Sequence, residues 1–284
     1  MSKEIKKIGV LGAGQMGGGI AQVSAQAGYE VILADISLEV ATQGKSKIEA
    51  HLKKQVEKQK NTENDLKKIL SHITPGLGIE SFNDVDLAIE AIAEIPTLKF
   101  ETFKKLDEVC KSSAILASNT SSISITEIAA KTKRPEQVVG MHFMNPVPVM
   151  KLIEGIKGIQ TSDETFAAIR SVSDKMGKTV VVSKDFPGFI VNRILMPMIN
   201  EAATVVHEGI ASVEDIDTAM KLGTNQPMGP LALADFIGLD TCLAIMNVLH
   251  EGLGDTKYRP SPLLKQYVAA GWLGKKTGRG FYQS

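Results

Sequence analysis

The sequence predicts an α/β chain: a doubly wound, mostly parallel sheet interrupted by a helical hairpin and followed by an all-α C-terminal domain. Three observations predict it. Near the N-terminus, Gly12, Gly14 and Gly17 stand in G-x-G-x-x-G spacing between two short apolar runs, KKIGVLGAG and EVILAD. Further runs, DLAIEAIA (86–93), AILASNTS (114–121) and VVGMHF (138–143), are almost continuously apolar, as parallel strands buried on both faces must be. Beyond residue 186 the apolar residues recur mainly at helical spacing.

The first element is a strand, turn and helix of the Rossmann type. Gly12 allows the tight turn, Gly14 lets a pyrophosphate approach the backbone, and Gly17 lets the helix pack close to the strand. Gln15 and Met16 open that helix, whose free N–H groups and positive dipole end favour phosphate. The second strand closes on Asp35, eighteen residues after Gly17. A carboxylate there accepts from the adenosine ribose hydroxyls and repels a 2′-phosphate, so NAD(H) is expected rather than NADP(H).

Residues 37–73 are too long for a simple crossover and read as two helices joined near Asn61, the second opened by Thr62 with Asp65. Six lysines between Lys45 and Lys60 face only Glu49 and Glu57, which suits either a solvated helical face or a platform for a phosphorylated ligand. Pro96 opens a helix running to Cys110, and Ser124 with Glu127 forms a capping box. Ligands of such sheets bind beyond the carboxyl ends of the strands. Glu94, Asn119, Ser121 and His142 all fall there.

Among five histidines, only His142 ends a strand at this edge. A nicotinamide site needs a group that moves a proton, and imidazole is suited to that near neutral pH. In GMHFMNPVPVMKLIE the prolines allow the chain to fold back, so that KLIEGI lies beside VVGMHF as an antiparallel edge and brings Glu154 toward the ring. A carboxylate on one ring nitrogen fixes the tautomer and stabilises the imidazolium. From residue type alone, both side chains also suit structural roles.

A box of Thr161 with Glu164 starts the next helix, and TVVVS is the last strand. The boundary falls at 184–188, giving a dinucleotide domain over 1–186 and a helical domain over 187–284. DFPGFIVNRILMPMINEAATVVHEG reads as one long helix with Pro187 at its start and a kink at Pro197. SVEDIDTAMKLG is opened by Ser212 and Asp215 and stopped by Gly223, and two further apolar segments follow. The apolar helix surface exceeds what one small bundle hides, which predicts a homodimer through this half.

Thirty-two basic and thirty-two acidic side chains cancel, so no global field draws the chain to nucleic acid or to a membrane. Two cysteines make no disulfide framework, the scattered histidines make no metal site, and no apolar run reaches the roughly 20 residues of a membrane span. A soluble, cytoplasmic protein is expected.

GAGQMGGGIAQ, ASNTSS, GMHFMNPVPVMKLIE, DFPGFIVNRIL, MKLGTNQPMGP, GLDT and GKKTGRGFY occur in this order across nearly the whole chain. Together they resemble the short-chain L-3-hydroxyacyl-CoA dehydrogenases, most of all the bacterial 3-hydroxybutyryl-CoA branch. The resemblance implies an NAD-dependent oxidoreductase acting on acyl-CoA thioesters such as (S)-3-hydroxybutyryl-CoA and acetoacetyl-CoA. It implies that His142 is the base, that Glu154 is its paired carboxylate, and that Ser121 and Asn192 hold the substrate. Glu94, Lys99, Asn119, Asn145 and Lys276 match cofactor contacts, and Lys58, with Lys54 beside it, matches a CoA contact. His51 stands where some relatives carry a CoA-contacting serine, so that role is not carried over. Broader 3-hydroxyacyl-CoA and hydroxyadipyl-CoA dehydrogenases are the neighbouring readings. A catalytically idle, crystallin-type NAD-binding protein would have a damaged constellation, whereas these four residues are intact.

Overall fold

The computed structural model describes residues 4–283. By its internal contacts the chain divides into two compact units, one up to Phe186 and one from Pro187. The first runs β1 (Lys7–Leu11), α1 (Gln15–Gln26), β2 (Glu30–Asp35), α2 (Leu38–Glu57), α3 (Glu63–Ser71), β3 (Ile73–Leu77) and β4 (Leu87–Glu90). It continues through α4 (Pro96–Val109), β5 (Ile115–Ser118), α5 (Ile125–Ala129), β6 (Val138–Phe143), β7 (Leu152–Lys157), α6 (Asp163–Lys175) and β8 (Thr179–Lys184).

One eight-stranded sheet has the order β3-β2-β1-β4-β5-β6-β7-β8. Every junction is parallel except β6 with β7. The winding reverses between β1 and β4, so the crevice beyond Leu11 and Glu90 is the switch point where such sheets bind ligands. Ile8, Val10, Leu87, Ile89, Leu116 and Val139 have no exposed surface. Each such side chain contributes roughly 1.5–3 kcal/mol by leaving water.

Two glycines in the first turn are required by space. Gly12 has φ +102, and a Cβ on Gly17 would lie 1.7 Å from the Gly12 carbonyl oxygen.

Four local expectations are corrected. First, ITPGL forms β3, and the α2–α3 hairpin is the β2-to-β3 crossover itself. Pro75 and Gly76 hide this strand from pattern reading, and proline is tolerated because β3 pairs on one side only. Second, β7 is not an edge, because β8 pairs with it in parallel. Third, α6 is capped by Ser162, which accepts from Thr165 N, whereas Thr161 Oγ1 donates to the Val138 carbonyl. Fourth, Ser124 accepts from Glu127 N, but the reciprocal arm is Asp185, which accepts from Ser124 Oγ and the amides of Ile125 and Thr126. At Thr62 and Asp65 the box is reciprocal.

The second unit is helical: α7 (Val191–His207), α8 (Val213–Thr224), α9 (Pro230–Ile237), α10 (Leu239–Leu253) and α11 (Pro262–Ala269). Two bounds differ from expectation. Helix α7 begins at Val191, since Gly188 and Phe189 have φ of 76° and 50°, outside the right-handed helical range. Helix α8 passes through Gly223 and stops at Asn225, whose φ is 56°. Met196, Ile199, Leu239, Cys242, Met246, Leu249 and Leu264 form the core of this unit. Among the described residues no single helix is long and apolar enough to cross a membrane, and α9 with α10 bends by 99°.

Candidate active site

In the antiparallel β6–β7 pair, His142 and Glu154 stand directly opposite each other. Opposed side chains share one face about 5 Å apart at Cβ, and here His142 Nδ1 donates to Glu154 Oε2 at 2.7 Å. Glu154 is wholly buried and His142 is 8% exposed. With Nδ1 as the donor, Nε2 carries the lone pair of the neutral ring.

The reversal between these strands is held from below. Its Asn145–Pro146 peptide is cis. Buried Lys178 donates to the carbonyls of Val147 at 2.6 Å and Met150 at 2.7 Å, and burial lowers the pKa of its ammonium. Sequence reading missed this residue, because nothing in MGKTVV foretells a lysine buried on carbonyls some thirty positions away.

Past the ends of β4 and β5, Glu94 gathers the Ser121 loop. Its Oε1 accepts from Thr120 Oγ1 (2.5 Å), Ser121 N (2.8 Å), Ser121 Oγ (3.2 Å), Ser122 N (3.1 Å) and Ser122 Oγ (3.0 Å). Burial pushes the Glu94 carboxyl up, but the Lys99 ammonium and these hydrogen bonds outweigh it and hold the pKa below the ordinary range. Lys99 is buried at 1% exposure, 2.6 Å from Glu90 and 3.2 Å from Glu94. Glu90, with no exposed surface, was not singled out from sequence. The available signal was an acid closing the apolar strand LAIE, nine residues before a lysine. Asn119 commits Oδ1 to Phe143 N at 2.9 Å, joining the ends of β5 and β6.

Two cavities meet at Gly14. The first, about 520 Å³, is lined by Gly12, Asp35, Ile36, Ile92, Leu98 and Lys105 among others. Asp35 accepts from Ala13 N at 2.6 Å and Ile36 N at 2.7 Å, so it also braces the glycine turn. A Cβ on Gly14 would meet open space. A glycine turn open to the cavity, a carboxylate at the strand end and apolar walls fit a dinucleotide. The second cavity, about 340 Å³, is bounded by Gln15, Gln22, Lys47, His51 and Asn145. Gln15 Nε2 donates to Asn145 Oδ1 at 3.0 Å, and Met16 is half-buried behind it. Lys47, His51 and Lys54 on α2, and Lys58 at its C-cap, recur at helical spacing and are all exposed.

In the second unit, Asn192 is buried in the first turn of α7, and Lys276 is ion-paired with Asp240 at the start of α10.

The strand order, glycine turn and terminal acid are those of a dinucleotide-binding α/β protein. Residues 7–186 match the 3-hydroxyacyl-CoA dehydrogenase NAD-binding domain, and residues 188–284 match the C-terminal domain of the same enzymes. A probable 3-hydroxybutyryl-CoA dehydrogenase of Bacillus subtilis is 58% identical over 98% of this chain and 97% of that protein. The human mitochondrial hydroxyacyl-coenzyme A dehydrogenase is 46% identical over 98% of this chain and 91% of its own length. The crystal structure of (S)-3-hydroxybutyryl-CoA dehydrogenase from Ralstonia eutropha superposes with a TM-score of 0.96 at 49% identity, over 99% of each chain. The chain belongs to the 3-hydroxyacyl-CoA dehydrogenase family.

Proposed function

We propose that the chain interconverts (S)-3-hydroxybutyryl-CoA and acetoacetyl-CoA, with His142 as the base and Glu154 as its orienting carboxylate. The observation that carries this reading is the 2.7 Å contact between the two side chains, fixed by strand register. The C4 substrate follows the names of the similar bacterial proteins from Bacillus subtilis and Ralstonia eutropha.

Bound NAD(H) supplies the two-electron step at carbon 3 of the acyl group. In oxidation, His142 Nε2 takes the proton of the 3-hydroxyl as that oxygen becomes a carbonyl, and Glu154 stabilises the resulting imidazolium. In reduction the same nitrogen returns the proton. Ser121, oriented by Glu94, hydrogen-bonds the substrate oxygen, and Asn192 is assigned a further hydrogen bond to the substrate. Asp35 receives the adenosine ribose, with Ile36 and Leu98 as apolar walls for the adenine. Glu94, Lys99, Asn119, Asn145 and Lys276 are assigned to the rest of the cofactor site, Lys99 through Glu94. Lys54 and Lys58 take the CoA phosphates, and the second cavity takes the narrow thioester arm.

The test is loss of NADH absorbance with acetoacetyl-CoA, compared with C6 and adipyl 3-ketoacyl-CoA and with NADPH. The C4 substrate with NADH is expected to give the highest kcat/KM. His142→Gln is expected to bind NADH normally while turnover falls by about 10²–10⁴. Near-native turnover in that variant removes His142 as the base.

A further inference from the structure

Three charged side chains lie together behind Ser121, and their charges do not cancel. Glu90 and Glu94 share one lysine, Lys99. Glu90 receives only donors: Lys99 Nζ at 2.6 Å, Ile92 N at 2.8 Å and Ser118 Oγ at 2.7 Å. Glu94 Oε1 likewise receives only donors, and its oxygens face no carbonyl in these contacts. With two glutamates to one lysine, the cluster has one carboxyl group more than it has cations, and most of it lies away from water: Glu90 and Lys99 are 0% and 1% exposed, and Glu94 is 35% exposed.

We propose that this Glu90–Lys99–Glu94 cluster sets the preference of the site between oxidised and reduced cofactor. The proposal rests on the dehydrogenase reading. If Ser121 holds the reacting oxygen, the nicotinamide must lie within about 3–3.5 Å of the adjoining carbon. Glu94 Oε1 is 3.2 Å from Ser121 Oγ. The ring is then within about 10 Å of Glu94, the sum of that distance, a hydrogen bond, a C–O bond and the approach of the reacting atoms. Its oxidised form carries a positive charge that the reduced form lacks. A fixed negative charge at that range, shielded from solvent, attracts one form and leaves the other nearly untouched. Hydrogen bonding alone would orient the Ser121 loop equally for both. Glu90 is in these terms a positioning residue with an electrostatic output, acting through Lys99 and Glu94.

The experiment measures dissociation constants for NAD⁺ and NADH by calorimetry, without turnover. Glu90→Gln keeps the size of the side chain and removes the excess charge. The ratio Kd(NAD⁺)/Kd(NADH) is expected to rise about three- to tenfold, with NADH affinity nearly constant. The double variant Glu90→Gln/Lys99→Met removes one charge of each sign, so the ratio is expected to return to within about twofold of the parent. Should Glu90→Gln fail to fold, Glu94→Gln removes the same charge from the partly exposed end and must move the ratio the same way. An unchanged ratio, or equal loss of both affinities, overturns the proposal. A parent protein that binds neither nucleotide overturns the dehydrogenase reading instead.

Discussion

Asp35 carries two jobs on one carboxylate. It ends β2 where a ribose is expected, and it already accepts the amides of Ala13 and Ile36. Asp35→Ser is therefore expected to do more than admit a 2′-phosphate. NADPH should gain and NADH should lose, with the NADH loss exceeding about 1 kcal/mol because the glycine turn also loses an anionic acceptor. Fluorescence titration with both nucleotides checks this, and an unchanged NADH preference removes Asp35 as the discriminator. At this scale, residues at strand ends were the legible ones. Asp35, Glu94, Ser121 and His142 could be placed because alternating with apolar runs leaves few polar positions at the carboxyl ends. The burial of Lys99 and Lys178 was illegible for a common reason. A lysine is ordinarily exposed, and its burial depends on acceptors supplied by distant segments. The two cysteines are a related case, since burial pushes Cys110 up to about 11 and Cys242 up to about 12, leaving both thiols inert near neutral pH.

The element most constrained by its own backbone is the β1–α1 turn. A methyl group on Gly17 would penetrate the Gly12 carbonyl, so Gly17→Ala must push α1 away from the sheet. The expected outcome is a loss of roughly 1–3 kcal/mol of stability, as in overpacked cores, together with loss of NADH binding. Thermal unfolding and titration test it, and a native-like variant would mean that the turn relaxes. Elements with their own periodicity were legible, including α1, α2, α3, α4, β6 and β7. What failed was decided by chemistry outside the element. Strand β3 contains Pro75 and Gly76 and exists because β2 offers it a partner. Helix α6 is capped by Ser162 rather than its neighbour because Thr161 turns to the Val138 carbonyl.

Across the whole molecule the charge is balanced, yet its distribution is not. Lys47, His51 and Lys54 on α2, with Lys58 at its C-cap, line one exposed face, a surface suited to the phosphates of the proposed CoA ligand. Reversing Lys54 and Lys58 together to Glu is expected to raise KM for acetoacetyl-CoA about tenfold or more, steeply dependent on salt, with kcat and NADH affinity little changed. An unaltered KM would return the stripe to the role of a solvated face. The second unit keeps Ile194, Ile210 and Leu222 exposed at 68%, 67% and 82%, which supports the proposed homodimer. Its assembly state is open to sedimentation. The change of period near residue 186 coincides with the division between the two compact units, whereas the substrate and dimerisation roles proposed for the second rest on surfaces that periodicity does not describe.

His142 and Glu154, the proposed base and its carboxylate, are fixed to each other by the ladder between β6 and β7, not by the eight residues, 144–151, that join those strands. That separation makes the reversal a place where variation is cheap for chemistry. Outside Asn145, which is proposed to serve the cofactor, its composition can drift so long as the ladder keeps its register and Lys178 keeps its carbonyls. A lineage, or an experimenter, that wants a different substrate has a segment to rewrite whose failures are failures of fit and not of proton transfer.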